Sequence, residues 1–289
     1  MKKKILILGS VGMAGHVVKN HLRDSGKYII GELARTVSPS KFTYAIDVTD
    51  LTSLDQVITE FKPDVIINCI GVLNKDAEDN PDKAVLLNSF LPHHLAKNAT
   101  ASGARLIHIS TDCVFSGLKG NYLDTDVKDG IGFYAQSKAL GEVNYGAHLT
   151  IRTSIIGPEI KSGGIGLLDW FLRNEAKEIK GYTQAYWGGV TTIQLAIAIE
   201  HAIEQSLRGL IHLTNGVRIS KFDLVNIFKD VFNNDVLIQA DDHYIVDKSL
   251  AVSAQTTLLG EVPSYEKMVK DMKFWMQENR ELYNHNYSF

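Results

Sequence analysis

The chain has 289 residues, 45% hydrophobic and 22% charged, with Lys+Arg 30 against Asp+Glu 33, the profile of a folded globular protein rather than a disordered or fibrous one. A chain of this length buries roughly three-quarters of the surface exposed by its unfolded form, so its core needs no disulfide or metal staple. A formal net charge of −3 offers no basic field to a nucleic-acid backbone, and Cys69 and Cys113 form neither a metal-ligand spacing nor a disulfide framework.

Met1-Lys2-Lys3-Lys4 followed by Ile5 to Leu8 imitates a signal peptide, but the apolar run stops at Gly9, short of the roughly 7–15 residues such a segment needs. With no uncharged apolar stretch of about 18 residues either, the expectation is a cytoplasmic protein that binds neither membrane nor nucleic acid and holds no metal. Short β-branched runs at 4–8, 28–33, 42–46, 65–68, 105–109 and 149–153 predict strands, and 13–24, 54–61, 81–102 and 134–145 predict helices. Strands that read as continuous apolar runs and alternate with helices predict right-handed crossovers and a doubly wound parallel sheet, a Rossmann fold. After Arg152 come a Gly-rich link at 157–166, a helix near 167–172, a helix at 190–205 and a strand at 209–213. The predicted organisation is an NAD(P)-binding domain of residues 1–156 and 190–216, with 157–189 and 217–289 forming a smaller, mostly helical substrate-binding lid.

Directly after the first strand, Gly9, Gly12 and Gly15 form G-x-x-G-x-x-G and open the first helix. There the first glycine permits a tight turn, the second lets backbone N–H groups near Val11 and Met13 approach a pyrophosphate, and the third allows close helix-strand packing. The helix N-terminus adds partial positive charge. At the second strand's end, a carboxylate would bond the 2′-OH of NAD and an Arg would neutralise the 2′-phosphate of NADP. Glu32 falls inside that strand and Arg35 just beyond it, which favours NADPH, with NADH as the alternative. The segment Asp47-Val48-Thr49-Asp50 is set either to bring a carboxylate to the adenine amino group or to cap a helix from Leu51. The backbone from Cys69 to Gly71 is expected to line the cofactor.

Thr111 ends the fifth strand, at the carboxyl edge where such sheets bind ligands. Tyr134 and Lys138 follow, four apart and so on one helix face. Hydride addition to a ketone builds charge on oxygen that a phenol can quench; the expectation is that the Lys138 ammonium draws the phenol pKa down from near 10, while Thr111 steadies the carbonyl oxygen. Tyr244 and Lys248 match the same spacing, but lie outside the alternating half and read as structural.

Gly9, Gly12 and Gly15, the segment Ser110 to Gly117, Tyr134 with Lys138, and Ile151 to Ser154 with Gly157 together resemble the extended short-chain dehydrogenase/reductase family. Within it the chain is most similar to the dTDP-4-dehydrorhamnose reductases and related nucleotide-sugar reductases, through about residue 160 and more loosely through Gly188 to Thr192. The resemblance implies NAD(P)H-dependent reduction of a 4-keto group on a UDP- or dTDP-linked 6-deoxysugar, in the synthesis of cell-surface polysaccharide precursors. Thr111, Tyr134 and Lys138 become the catalytic set, with Lys138 also gripping the nicotinamide ribose. Cys113 stands where related dehydratases carry a catalytic Glu, which argues against dehydration, and where rhamnose-forming reductases usually carry Tyr, which opens other sugars. Val114 and Phe115 beside it, and Gln184, Trp187 and Thr191 further on, fall where relatives contact substrate; the alternative for the Tyr186-Trp187 aromatics is packing at the domain junction. Relatives are often homodimers. Two other readings stand beside the reductase: an epimerase that retains NAD, and a non-catalytic cofactor-holding subunit of the kind that partners methionine adenosyltransferase.

Overall fold

The computed structural model describes residues 1–161, 163–283 and 287. The first six strands are Lys3–Leu8 (β1), Tyr28–Ala34 (β2), Thr43–Ala45 (β3), Val65–Asn68 (β4), Arg105–Thr111 (β5) and Leu149–Thr153 (β6). There follow Ile155–Ile156 (β7), Glu178–Tyr182 (β8), Ala185–Trp187 (β9), Val190–Thr191 (β10), Gly209–His212 (β11), Ile219–Ser220 (β12), Leu237–Asp241 (β13) and Val246–Asp247 (β14). The helices are Met13–Asp24 (α1), Leu51–Phe61 (α2), Asn74–Asp79 (α3), Pro81–Ala84 (α4), Leu91–Ser102 (α5), Phe133–Leu140 (α6), Leu167–Arg173 (α7), Thr192–Glu204 (α8), Lys221–Phe232 (α9) and Tyr265–Glu278 (α10).

Seven strands form one sheet in the order β11-β6-β5-β4-β1-β2-β3, every neighbouring pair parallel. The apolar run of β1 explains the doubly covered sheet, because successive side chains point to opposite faces. Ile5 and Ile7 join a core with Val17 and Val18 of α1 and Leu195 of α8; Leu6 and Leu8 join another with Leu54 and Ile58 of α2 and Leu95 of α5. The first of these cores continues without a break into Phe171, Phe228 and Met272, on α7, α9 and α10. Outside the large sheet, β9 lies between β12 and β14, β13 pairs with β8, and β10 pairs with β7.

The single helix expected over 81–102 is divided: a π-helical turn, Val85–Phe90, separates α4 from α5. Pro92 has no N–H to give the Asn88 carbonyl and its ring crowds that oxygen, so the turn widens and the Leu91 N–H bonds Leu86 instead. Gly141 packs against the released carbonyl, where an added Cβ would stand 1.8 Å from the Asn88 oxygen. The helix expected to reach 145 accordingly ends at Leu140. Conversely, β5 runs past the apolar stretch of 105–109 to Thr111, because Ser110 and Thr111 pair with Arg152 and Thr153 of β6.

Beneath that strand end lies a buried polar network. Arg152 grips Glu142 through Nε (2.8 Å) and Nη2 (2.7 Å), Ser110 donates to the same carboxylate at 2.8 Å, and Lys128 approaches it at 3.2 Å. Burial opposes ionisation of Glu142, but Arg152, Lys128 and Ser110 outweigh it and hold the carboxyl below its usual range. Its contribution is therefore present at neutral pH and lost as pH falls through the carboxylate range. Glu142→Gln, which removes the charge opposite a buried guanidinium, is expected to cost about 3–5 kcal/mol, read as a lowered melting temperature with a shallower acid dependence.

Candidate active site

The glycine turn is built on one close contact. Gly9 adopts φ +77°, in the left-handed region, and Gly15 lies so near that a Cβ there would stand 2.1 Å from the Gly9 carbonyl oxygen. Gly12 caps α1 with extended backbone, and its N–H returns to Gly9 at 2.9 Å. A cavity of about 480 Å³ opens beside this turn, lined by Gly9, Val11, Gly12, Arg35, Asp47, Val48, Cys69 and Gly71, all expected from sequence to meet a cofactor. Met13 and Gly15, expected with them, do not line it; Met13 is the first residue of α1.

Glu32 is withdrawn from the cavity. Its carboxylate takes Lys19 at 3.0 Å and Arg23 at 3.1 Å, whereas Arg35 lines the cavity 3.7 Å from Asp47. Asp47 accepts the Thr49 N–H and hydroxyl at 3.0 and 2.9 Å, and these contacts, with Arg35, hold its carboxyl below the usual range despite partial burial. The helix cap is Asp50, which accepts the Ser53 N–H and starts α2 at Leu51, as the capping alternative expected and three residues ahead of the 54–61 stretch. Lys83 of α4, 2.6 Å from Asp76, and Lys161 also line the cavity; no sequence motif marks either.

At the cavity's far end Asn88, set by the π-turn, accepts from the Val72 N–H at 2.8 Å and donates to the Val72 carbonyl at 2.9 Å and to Ser137 of α6 at 3.0 Å. Val72, which lines the cavity, packs in one small cluster with Tyr134. Glu78 of α3 accepts the N–H groups of Phe133 and Tyr134 at 3.1 Å each, capping α6 and fixing the start of the helix that carries the phenol. Nothing in the sequence singled out Glu78, which lies 56 residues before its partner.

The Thr111 hydroxyl, which donates to Asp112 at 3.1 Å and accepts the Cys113 N–H at 3.1 Å, also acts on the phenol of Tyr134, a residue far away in the chain. The expected pairing of phenol and ammonium is not what governs Tyr134. Burial pushes its pKa up, Cys113 and Asp112 push further, and only the Thr111 hydroxyl pulls down. Lys138 turns instead to the Ile109 carbonyl at 2.7 Å, with His108 Nε2 at 3.4 Å, and burial lowers its pKa to about 8 against the pull of Glu142 and Cys69. The phenol thus stays protonated at neutral pH, and Lys138 faces the cavity side, 4.0 Å from a Cβ added at Gly71.

Several residues expected to meet substrate are packed away. Val114 and Phe115 are fully buried with Tyr122 and Leu250, Phe115 stacking on Tyr122 at 4.1 Å and under Arg152 at 4.9 Å. Trp187 packs against Tyr265 in the main core, which is the junction role weighed for it, and Thr191 is the buried N-cap of α8. Gln184 is exposed, its carbonyl accepting the Val246 N–H at 3.1 Å. Cys113 does sit beside Thr111, its N–H donating to that hydroxyl at 3.1 Å and its thiol pushed up to about 11 by burial and by Asp112. Lys248, read from sequence as structural, is near enough to favour the ionised forms of both Asp112 and Cys113. Backbone bonds from Asp247 to Gly117 (2.8 Å), Tyr122 to Ser249 (2.9 Å) and Ala251 to Tyr122 (2.8 Å) fasten this segment to the loop after β5. Among the described residues, no group of three or more His, Cys, Asp or Glu side chains is placed to hold a metal, and no helix is long and apolar enough to cross a membrane.

Residues 2–254 match the family described as the RmlD substrate binding domain. The chain belongs to that family. Among RmlD-type relatives it is 28% identical over 248 residues to a dTDP-4-dehydrorhamnose reductase of Aggregatibacter actinomycetemcomitans, covering 81% of each chain. It is also 26% identical over 245 residues to the methionine adenosyltransferase 2 subunit beta of Bos taurus, covering 80% of this chain and 72% of that one. A solved dTDP-4-dehydrorhamnose reductase of Bacillus anthracis, in complex with NADP, superposes with a TM-score of 0.82 at 23% identity, over 95% of this chain and 100% of that one, a likeness of fold.

For this RmlD-family chain the buried ammonium is a cost that the fold carries for its site. Because burial lowers the Lys138 pKa, the folded protein binds that proton less well than the unfolded one, so stability rises as pH climbs from about 8 towards 10.5. Lys138→Met, which keeps the length and drops the charge, is expected to raise the melting temperature at pH 7 by about 2–4 °C, measured calorimetrically.

Proposed function

We propose that the protein is an NADPH-dependent reductase of the 4-keto group of a UDP- or dTDP-linked 6-deoxysugar, serving polysaccharide-precursor synthesis. The observation that carries this reading is that Thr111 closes β5 where its hydroxyl acts on the Tyr134 phenol, with Lys138 one turn below, held to the Ile109 carbonyl on the cavity side. A strand-end hydroxyl acting on a phenol suits the handling of a carbonyl oxygen, and a phenol kept protonated suits the donor for an oxygen that gains charge. Residues 1–156 with 190–216 would hold the cofactor and 157–189 with 217–289 the sugar nucleotide, a division supported by β10 and β11 pairing back onto β7 and β6.

The cavity residues fit a dinucleotide phosphate. The Gly9 turn presents backbone N–H groups without side chains in the way, and Arg35, not Glu32, lines the cavity, which favours a 2′-phosphate over a free 2′-OH. NADPH, when bound, supplies the hydride. Thr111 orients the sugar carbonyl, Tyr134 passes its proton to the carbonyl oxygen as charge builds there, and Lys138 donates to the ribose hydroxyls while keeping its bond to Ile109. Cys113 brings no carboxyl to the place where elimination of water would need one, which favours reduction as the chemistry.

The relationship to methionine adenosyltransferase 2 subunit beta favours a second reading, a cofactor-holding subunit of another enzyme. The complete Thr111, Tyr134 and Lys138 set weighs towards the reductase, and a panel of UDP- and dTDP-4-keto-6-deoxy sugars followed at 340 nm separates them. The reductase oxidises NADPH in step with product, with kcat falling as pH rises through about 8 and Lys138 loses its proton. Tyr134→Phe is expected to lower kcat by roughly 10²–10⁴-fold, and Arg35→Ala to raise the KM for NADPH roughly 10–100-fold with little change for NADH. Sugar interconversion without net NADPH oxidation would identify an epimerase, and activity indifferent to Tyr134→Phe would leave the subunit reading standing.

A further inference from the structure

Asn68 and His108 stand opposite each other in the register of β4 and β5, and both are fully buried. The Asn68 amide is oriented by its neighbour, because the Ile70 N–H can only donate and it bonds Asn68 Oδ1 at 3.1 Å. The atom left facing His108 is therefore Nδ2, an NH2 group without a lone pair to offer, 3.1 Å from Nδ1 of the ring. Nδ1 must accept. Burial, then the charges of Lys138 and His93, hold the His108 pKa well below its usual range, so the ring is neutral and carries one proton, which the Asn68 contact assigns to Nε2.

That proton meets Lys138, whose Nζ lies 3.4 Å from Nε2. A neutral amine can accept it, whereas an ammonium has no lone pair and faces it donor to donor. Nor can the ring turn a lone pair towards the ammonium without loss. Moving the proton to Nδ1 sets it against the Asn68 NH2, and rotating that amide to accept it takes Oδ1 away from the Ile70 N–H, so a buried donor goes unmet either way. Of the other groups around the amine, the Ile109 carbonyl at 2.7 Å suits both charge states, and Tyr134, one turn back on α6, stays protonated. The Cys69 thiol, pushed up to about 12 by burial, also stays neutral, which leaves Glu142, gripped by Arg152, as the charge that favours the ammonium.

We propose that His108 is a positioning residue for Lys138: locked by Asn68 with its proton on Nε2, the imidazole turns a donor towards the amine and so sets the pH at which Lys138 gives up its charge. The inference deepens the reductase reading and rests on it only where turnover is concerned, since the three side chains are arranged this way whatever the substrate. Burial and the opposed donor then act in the same direction, against Glu142.

The test reads the two groups directly by NMR, with 15N-labelled histidine for the ring proton and 13Cε-labelled lysine for the Lys138 titration, its signal identified by its absence from Lys138→Met. The wild-type ring is expected to show the Nε2–H form. Asn68→Leu, which releases the ring without adding charge, is expected to raise the Lys138 midpoint by about 1–2 pH units. Asn68→Asp, whose carboxylate can accept both the Ile70 N–H and a ring N–H, is expected to move the ring proton to Nδ1 and raise the midpoint further, with the alkaline limb of kcat moving in step. A wild-type ring protonated on Nδ1, or a midpoint unchanged in Asn68→Leu, overturns the inference and leaves the reductase reading untouched. Midpoints that shift as expected in a protein that reduces no nucleotide sugar uphold the inference and overturn the reductase reading. If Asn68→Leu fails to fold, the wild-type ring proton and its move in Asn68→Asp decide the matter.

Discussion

The approach of Gly15 to the Gly9 carbonyl sets the geometry on which the cofactor half depends. With the two backbones this close, α1 is pressed against the end of β1, its N-terminus is held at the sheet edge, and the chain from Gly9 to Gly12 must turn tightly with no side chain between it and the cavity. Any residue larger than glycine at position 15 would drive a Cβ into the carbonyl, and the helix would have to move away from the strand. The position of the cavity, and of everything facing it, follows from that contact.

The rest of the site is arranged by polar groups reaching in from outside the sheet. Glu78 caps α6, Asn88 holds the Val72 backbone to Ser137, and Glu142 with Arg152 fixes Ser110 under the end of β5. Asn88, Glu142 and Arg152 are buried and would cost stability unless satisfied, and their partners, like those of the exposed Glu78, are neighbours of the Thr111, Tyr134 and Lys138 constellation. Lys138 shows the same logic from the other side, a buried cation kept at a lowered pKa with a backbone carbonyl for company.

What was legible in the sequence was whatever is carried by periodicity or by short local spacing. The apolar runs of β1 and β4, the glycine turn and the Tyr134–Lys138 spacing each declare themselves within a few residues, so the doubly wound sheet could be read directly. The division of 81–102 by a π-turn was not visible, because it arises from Pro92 and from the backbone of Gly141, about fifty residues away. Glu78 escaped notice for a similar reason, since its role depends on contacts that only the assembled fold creates. The opposite error befell Trp187, Val114 and Phe115: large apolar side chains near a site fit a core as well as a ligand, and here the core took them.

The backbone ladder between 117–122 and 247–251 bears on how this chain can be recombined with its relatives. Exchanging only the last third would sever three main-chain hydrogen bonds and leave Lys248 without its fixed seat over Gly117. A functional hybrid therefore has to take both strips from the same parent, although they lie more than a hundred residues apart, and a crossover anywhere between them breaks a unit that the linear sequence does not display.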